Sequence, residues 1–342
     1  MTKRMKVLQI GLGGFGKNHL KAWLELGFHD QLFVADLKSE NATFAKNYGL
    51  APAHVTDNYR DFIDQVDTVD IVTDTISHFE LASFALHCNK NIFIEKPLTL
   101  NAQDSLKLFE VAREKKKSLQ VGYYYRYHPI SLKMKELLPS VGQIRYIRGE
   151  FMGFKRARND IGVMHTDGIH FLDLCNWLLE EHPKRVVALT RDHFQRGLED
   201  MAIGIFTYNK DVVLKIEAGY IQPGSWKDKV VPHAMTTKTL CIIGSDATLV
   251  GDFEKEQLEL FNCHHKLKSG TWSLINNGSE IIPTESVDTV NLVKRELQDF
   301  LNSIRENNKT KANAFDSGFL LGKAVEAFYK SAEKSQLVEI SY

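Results

Sequence analysis

The stretch Gly11-Leu12-Gly13-Gly14-Phe15-Gly16 constrains the fold more than any other part of the chain. It follows a short apolar run, Lys6 to Ile10, that reads as a buried strand, and it opens a stretch, His19 to Leu26, with the spacing of an amphipathic helix. In that setting each glycine of G-x-G-x-x-G has a physical task. Gly11 permits the tight turn, Gly13 lets a pyrophosphate approach the backbone, and Gly16 lets helix and strand pack closely. The helix N-terminus then presents unbonded N–H groups and a positive dipole end to phosphates. Gly14 and Phe15 complete the loop and join the three glycines as candidate cofactor contacts. Asp36 ends the next apolar strand, Leu32 to Ala35, 20 residues after Gly16. A carboxylate there accepts hydrogen bonds from the adenosine ribose and repels a 2′-phosphate, so NAD is expected and NADP less so. Lys38 weakens that exclusion slightly, and the plainer alternative is that Asp36 is only a solvated strand end.

The alternation continues. Asn41 to Tyr48 has helical spacing, and Gly49 suits its C-terminal cap. Val69 to Thr73, Asn91 to Ile94 and Leu119 to Gly122 read as strands, Phe79 to Cys88 and Ala102 to Lys115 as helices. Short strands separated by helices of about 10 to 15 residues imply βαβ units and a parallel sheet. A chain of 342 residues has room for a second domain. There Val141 to Phe154, Arg185 to Thr190, Met201 to Tyr208, Val212 to Tyr220, Thr237 to Ile243 and Ala247 to Asp252 alternate or run apolar like strands. Asn209-Lys210-Asp211 and Gly244-Ser245-Asp246 suit hairpin turns.

Composition excludes several function classes. With 43 Lys plus Arg against 43 Asp plus Glu, the formal net charge is zero. No basic excess points to nucleic acid or to an anionic membrane surface. The start, Met1-Thr2-Lys3-Arg4-Met5-Lys6, is basic like the head of a secretory leader, but the apolar run Val7 to Ile10 ends at glycines and is too short for one. No apolar run approaches the ~18 residues of a membrane helix. Cys88, Cys175, Cys241 and Cys263 are far apart and form no C-x-x-C pair, so neither a disulfide framework nor a zinc ribbon is expected. A cytoplasmic protein is the expectation. His165 and Cys263-His264-His265 invite a metal reading, but successive strand residues point to opposite faces, and no metal site is expected.

Four further segments stand in a telling order. Asp70-Ile71-Val72-Thr73 is followed by His78. Asn91-Ile92-Phe93-Ile94-Glu95-Lys96-Pro97 closes a strand. Gly122-Tyr123-Tyr124-Tyr125-Arg126-Tyr127 leads to Pro129, and Gly168-Ile169-His170-Phe171-Leu172-Asp173-Leu174 leads to Trp177-Leu178. Together they resemble the glucose–fructose oxidoreductase/inositol dehydrogenase (Gfo/Idh/MocA) family. The matching parts are the fourth strand with the loop over the nicotinamide, the end of the fifth strand, the sixth strand, and the helix of the catalytic histidine. Leu297 to Val338 resembles that family's closing helices and last strand, so the resemblance spans nearly the whole chain.

The resemblance implies an α/β protein. Residues 1–125 would form a Rossmann domain with a parallel sheet, onto which the closing helices pack back. Residues 126–342 would form an α+β domain on a large, open, mostly antiparallel sheet. The open sheet face implies a homodimer or homotetramer. Thr73, His78, Glu95 and Lys96 join the cofactor contacts. Oxidising a secondary alcohol moves a hydride to the nicotinamide and a proton to a base. The resemblance puts Lys96 and His170 beside the reacting carbinol. His170 is the better base, because imidazole titrates near neutrality. Lys96 would hydrogen-bond the hydroxyl oxygen and lower the alcohol's pKa. Asp173, one turn after His170, either orients the imidazole or bonds to a neighbouring loop. Many family members carry an acid four residues before the histidine, where this chain has Thr166. Asp167 stands three before it and either points into the site as the third catalytic residue or caps the helix. Thr166 can itself hydrogen-bond a sugar.

The substrate is expected to be small. Lys155-Arg156-Ala157-Arg158-Asn159-Asp160 precedes the catalytic helix, and Arg156 and Arg158 would suit a phosphate or carboxylate unless the loop is merely solvated. By the same resemblance Tyr124, Arg126, His128 and Trp226 are candidate substrate contacts. The stretch from His165 to Leu174 resembles the branch of the family that oxidises nucleotide-linked amino sugars at C3. A free-sugar or inositol dehydrogenase and a non-catalytic NAD-binding sensor are the alternatives.

Overall fold

In the computed structural model, which describes residues 5–342, the chain divides into two compact units. Met1 to Arg4, most of the basic start, lies outside the described residues. One unit comprises the residues up to Tyr124 together with Asp288–Gly322, the other Tyr125–Val287 together with Lys323–Tyr342.

The first unit starts with β1 (Val7–Ile10), α1 (Gly16–Glu25), β2 (Leu32–Ala35), α2 (Ser39–Asn47), β3 (Val55–Thr56), β4 (Thr68–Ile71), α3 (His78–His87), β5 (Asn91–Glu95), α4 (Ala102–Glu114) and β6 (Leu119–Gly122). The strands form one parallel sheet in the order β3-β2-β1-β4-β5-β6. β1, β2, β4 and β6 are buried at every position, which explains why they read as continuous apolar runs rather than alternating ones. The direction of winding reverses between β1 and β4, and a crevice for a ligand opens at the carboxyl ends of strands at such a point. The two-residue β3 carries no pattern long enough to be anticipated.

The second unit opens with α5 (Pro129–Val141), which the sequence reading omits, and whose end lies where a strand was expected to begin. It continues with β7 (Ile144–Phe154), a π-helical turn at Met164–Gly168, α6 (Ile169–Leu179), β8 (Arg185–Arg191), β9 (Met201–Thr207), β10 (Val213–Gly219), β11 (Trp226–Lys227), β12 (Met235–Gly244), β13 (Thr248–Asp252), β14 (Gln257–Lys268) and β15 (Thr271–Ile282). Then α7 (Thr289–Glu306) belongs to the first unit, while α8 (Leu321–Lys334) leads back into the second, which ends on β16 (Val338–Glu339). The sheet order is β15-β14-β13-β12-β7-β10-β9-β8-β16, with β11 beside β12. All its pairs are antiparallel except β7 with β10. The β9–β10 hairpin turns at Asn209–Asp211, where Lys210 and Asp211 take φ of 54° and 58°, as a tight turn between twisted strands requires. The long β14–β15 hairpin is absent from the sequence reading. Its outer half is exposed on both faces, so it lacks the alternation that marks a half-buried strand.

α7 completes the first unit's core. Val293, Leu297, Phe300 and Leu301 pack with Val7, Leu20, Trp23 and Phe93, and burying side chains of this size contributes roughly 1.5–3 kcal/mol each. Among the described residues no helix is long and apolar enough to cross a membrane.

Candidate active site

The glycine loop leaves β1 at Gly11, whose φ of +99° and close approach to the Val72 carbonyl leave no room for a side chain. Gly13 and Gly14 are exposed, and a Cβ on either would meet nothing within 4 Å, so the loop has an open side. Gln9 Nε2 ties the loop from beneath by donating to the carbonyls of Gly11 (2.9 Å) and Gly16 (2.8 Å). Phe15 stacks with Tyr124 at 5.9 Å between ring centroids. Asp36 accepts from the Leu12 N–H (2.6 Å) with one oxygen and from the Lys38 N–H (2.8 Å) and Asn41 Nδ2 (3.1 Å) with the other. The carboxylate is therefore locked onto the loop and remains half-buried. An open glycine loop, a helix N-terminus and an acid at the end of β2 suit a dinucleotide with free ribose hydroxyls.

Lys96 follows β5, is half-buried, and is joined to Pro97 by a cis peptide bond. His78 is buried, with Nδ1 2.9 Å from the Pro97 carbonyl and Nε2 3.2 Å from the Thr73 carbonyl. Burial holds this imidazole below its ordinary pKa, so it stands neutral between two carbonyls. Thr73 pairs its hydroxyl with Ser77 (2.7 Å). Glu95, expected as a cofactor contact, instead turns its carboxylate into the interior: Oε1 lies 3.3 Å from His19 Nε2, and Oε2 accepts from the Lys96 N–H at 3.2 Å.

His170 belongs to the second unit, near the start of α6, and is 4% exposed. Tyr125 meets its ring edge-on at 5.1 Å, and Phe151 of β7 stacks on it at 5.9 Å. Neither aromatic was singled out from sequence. Asp167 lies in the π-helical turn, so the α-helical spacing assumed for it does not apply. It is not a helix cap: its Oδ1 accepts from Lys155 Nζ at 2.6 Å, both side chains being buried, and its buried Oδ2 has no hydrogen-bond partner among the described residues. Lys155 also lies over the Phe151 ring, 4.7 Å from its centroid. Thr166 donates to the Gly162 carbonyl (2.8 Å).

Several expected substrate contacts also bond within the protein. Arg126 is 4% exposed and donates through Nε and Nη2 to both oxygens of Asp173, at 2.7 and 2.6 Å. Asp173 thus bonds to the turn at Tyr124–Tyr127, the second of the two tasks expected of it. His128 is the N-cap of α5: its Nδ1 accepts from the Ile130 N–H at 3.2 Å. Tyr124 is buried against Phe15. In the basic loop Lys155 is taken by Asp167, and Arg158 donates from Nε to Asp160 at 2.8 Å, which leaves Arg156 as its most exposed cation. Trp226 is exposed and donates to Asp252 at 3.0 Å. Cys263, His264 and His265 follow one another along β14.

Comparison with known proteins bears on the family and the fold. Residues 5–123 match the model of an oxidoreductase family's NAD-binding Rossmann fold (Gfo/Idh/MocA), and residues 139–340 match the same family's C-terminal alpha/beta domain. A UDP-N-acetylglucosamine 3-dehydrogenase of Acidithiobacillus ferrooxidans is 28% identical over 251 residues, 70% of this chain and 76% of that one. Its solved structure superposes with a TM-score of 0.80 at 23% identity, covering 96% of this chain and 98% of that one. A D-apiose dehydrogenase of Paraburkholderia graminis is 26% identical over 64% of this chain and 61% of its own length. The structure of a levoglucosan dehydrogenase in complex with NADH superposes with a TM-score of 0.81 at 19% identity, covering 98% of this chain and 99% of that one.

Proposed function

The chain belongs to the Gfo/Idh/MocA oxidoreductase family, and from that premise we propose that it oxidises a secondary hydroxyl of a sugar with NAD, the sugar being a nucleotide-linked amino sugar like UDP-N-acetylglucosamine and the product its 3-ketone. The observation that carries the reading is His170, held rigid by Tyr125 and Phe151 next to the Lys155–Asp167 pair. When bound, NAD supplies the hydride acceptor. His170 takes the hydroxyl proton, and Lys96 Nζ donates a hydrogen bond to the same oxygen and stabilises the negative charge that develops there. Asp36 receives the adenosine ribose, which favours NAD over NADP. Arg156 is the cation best exposed to meet a diphosphate.

A free-sugar or polyol substrate is the second reading. It is favoured by the engagement of Arg158 with Asp160 and by the likeness to a D-apiose dehydrogenase. We also read the outward face of β8 and β9 as a self-association surface, since Val187, Leu189 and Ile205 leave about two-fifths of their surface exposed in one row.

The test is NADH fluorescence with UDP-N-acetylglucosamine, its uronate, myo-inositol and glucose. The proposal expects signal from a nucleotide sugar. Turnover of a free polyol with none from any nucleotide sugar refutes the substrate. Lys96→Ala is expected to cut turnover by about 100- to 1,000-fold, to a small residual rate, while NAD binding stays within about twofold; full activity in that variant refutes the mechanism.

A further inference from the structure

Behind Lys96, inside the first unit, lies a cluster of ionisable side chains that the proposed reaction does not use. His19 stands in α1 one turn beyond the glycine loop and is fully buried. Its Nδ1 is 2.9 Å from Asp70 Oδ2 on β4, an oxygen that also accepts from Trp23 Nε1 at 2.7 Å. Its Nε2 reaches Glu95 at the end of β5. Glu296 of α7 is also fully buried, neither of its carboxyl oxygens has a hydrogen-bond partner among the described residues, and it approaches His19 and Glu95 so that one ligand atom from each of the three lies within 4.8 Å of the others. β6 makes room: Gly122 pairs with Glu95 across the sheet, and a Cβ there would lie 2.3 Å from Glu95 Oε1.

Charges this deep persist only in pairs. Burial pulls the His19 pKa down, but Asp70 and then Glu95 outweigh it and push it up to about 10, so the ring is an imidazolium. Burial, then the charge of Glu95, push Glu296 well above the usual carboxylate range, so it holds its proton. One cation thus sits between the carboxyl groups of Asp70 and Glu95, with a neutral acid beside it. Glu95 is anchored on its inner side by His19, and its other oxygen accepts from the Lys96 N–H. On the far side of the same turn His78 meets the Pro97 carbonyl.

We infer that Glu95 is a positioning residue for Lys96: held from within by His19, it fixes the peptide that presents the Lys96 amine and links it to the helix that follows the cofactor loop. The inference rests on the role proposed above for Lys96. Displacement of a reacting group by about 1 Å costs on the order of 100-fold in rate, so fixing one peptide is a substantial contribution.

The test is Glu95→Gln in the full chain, with Lys96→Ala and the double variant beside it. Glu95→Gln keeps the shape but has a single acceptor oxygen, so it can no longer accept from both His19 and the Lys96 N–H and loses the charge that anchors it to His19. The expected result is a roughly 10- to 100-fold fall in kcat with the KM for the sugar and the NAD dissociation constant within about twofold. In the Lys96→Ala background the same change is expected to alter the residual rate by less than twofold, because there is no longer an amine to position. An unchanged kcat in Glu95→Gln, or a loss carried wholly by KM or NAD binding, overturns the inference. So does an equal fractional loss in both backgrounds, the mark of a merely structural role. A stoichiometric divalent cation in the purified protein also overturns it, since Glu95 would then be held by the metal rather than by His19. Full activity of Lys96→Ala is a separate outcome that defeats the reading of Lys96 itself.

Discussion

Replacing Lys155 by methionine keeps the aliphatic stem over Phe151 and removes the ammonium that pairs with Asp167. The Asp167 side chain is 2% exposed and its Oδ2 already lacks a partner among the described residues, so the substitution orphans the whole carboxyl. An uncompensated buried charge costs about 3–5 kcal/mol. Lys155→Met should therefore be destabilised by about 3–5 kcal/mol, and urea unfolding of the full chain measures it. Lys155→Met/Asp167→Asn removes the uncompensated group together with its partner and should recover most of the loss. A single variant within about 1 kcal/mol of the native chain, or a double variant no better than the single one, refutes the argument that Lys155 and Asp167 compensate each other in the interior.

Asp36→Ala removes the acceptor that excludes a 2′-phosphate and should lower the ratio of kcat/KM with NAD to that with NADP by about 10-fold or more, as for a hydrogen bond to a charged group; an unchanged ratio in steady-state assays counts against the assignment of Asp36 to the ribose. The buried cluster makes native stability depend on alkali. His19, raised to about 10, contributes stability that is complete below about pH 6.5 and lost as pH rises through about 10, and the raised Glu296 acts in the same sense, at up to ~1.4 kcal/mol per pH unit per proton. Unfolding midpoints between pH 6 and 10 should fall in the native chain and flatten in His19→Gln, and parallel curves for the two refute the ion pairing.

The parts of the fold and site that local sequence reveals are those whose cause is local. Leu32 to Ala35 is buried along its whole length, so its apolar run and its strand coincide. The glycine loop is legible because φ of +99° at Gly11 admits no other residue comfortably. His170 follows its motif into the aromatic surroundings of Tyr125 and Phe151. What stays hidden are pairings between residues far apart in the chain. Asp173 lies 47 residues from Arg126, Glu95 lies 76 from His19, and no periodicity connects either pair. The partial signal is phase. On α1 His19 falls among Leu20, Trp23 and Leu24 on the buried side, and a histidine there demands a partner even though the pattern cannot say which. The same logic explains why Arg126, His128 and Glu95 read as ligand contacts. A polar residue next to a motif is equally well placed to bind a ligand or to hold the motif in position. Burial alone does not separate the two, since His170 at 4% exposure is as buried as Arg126 at 4%, and only the partner each side chain meets, such as Asp173 for Arg126 or His19 for Glu95, distinguishes one from the next.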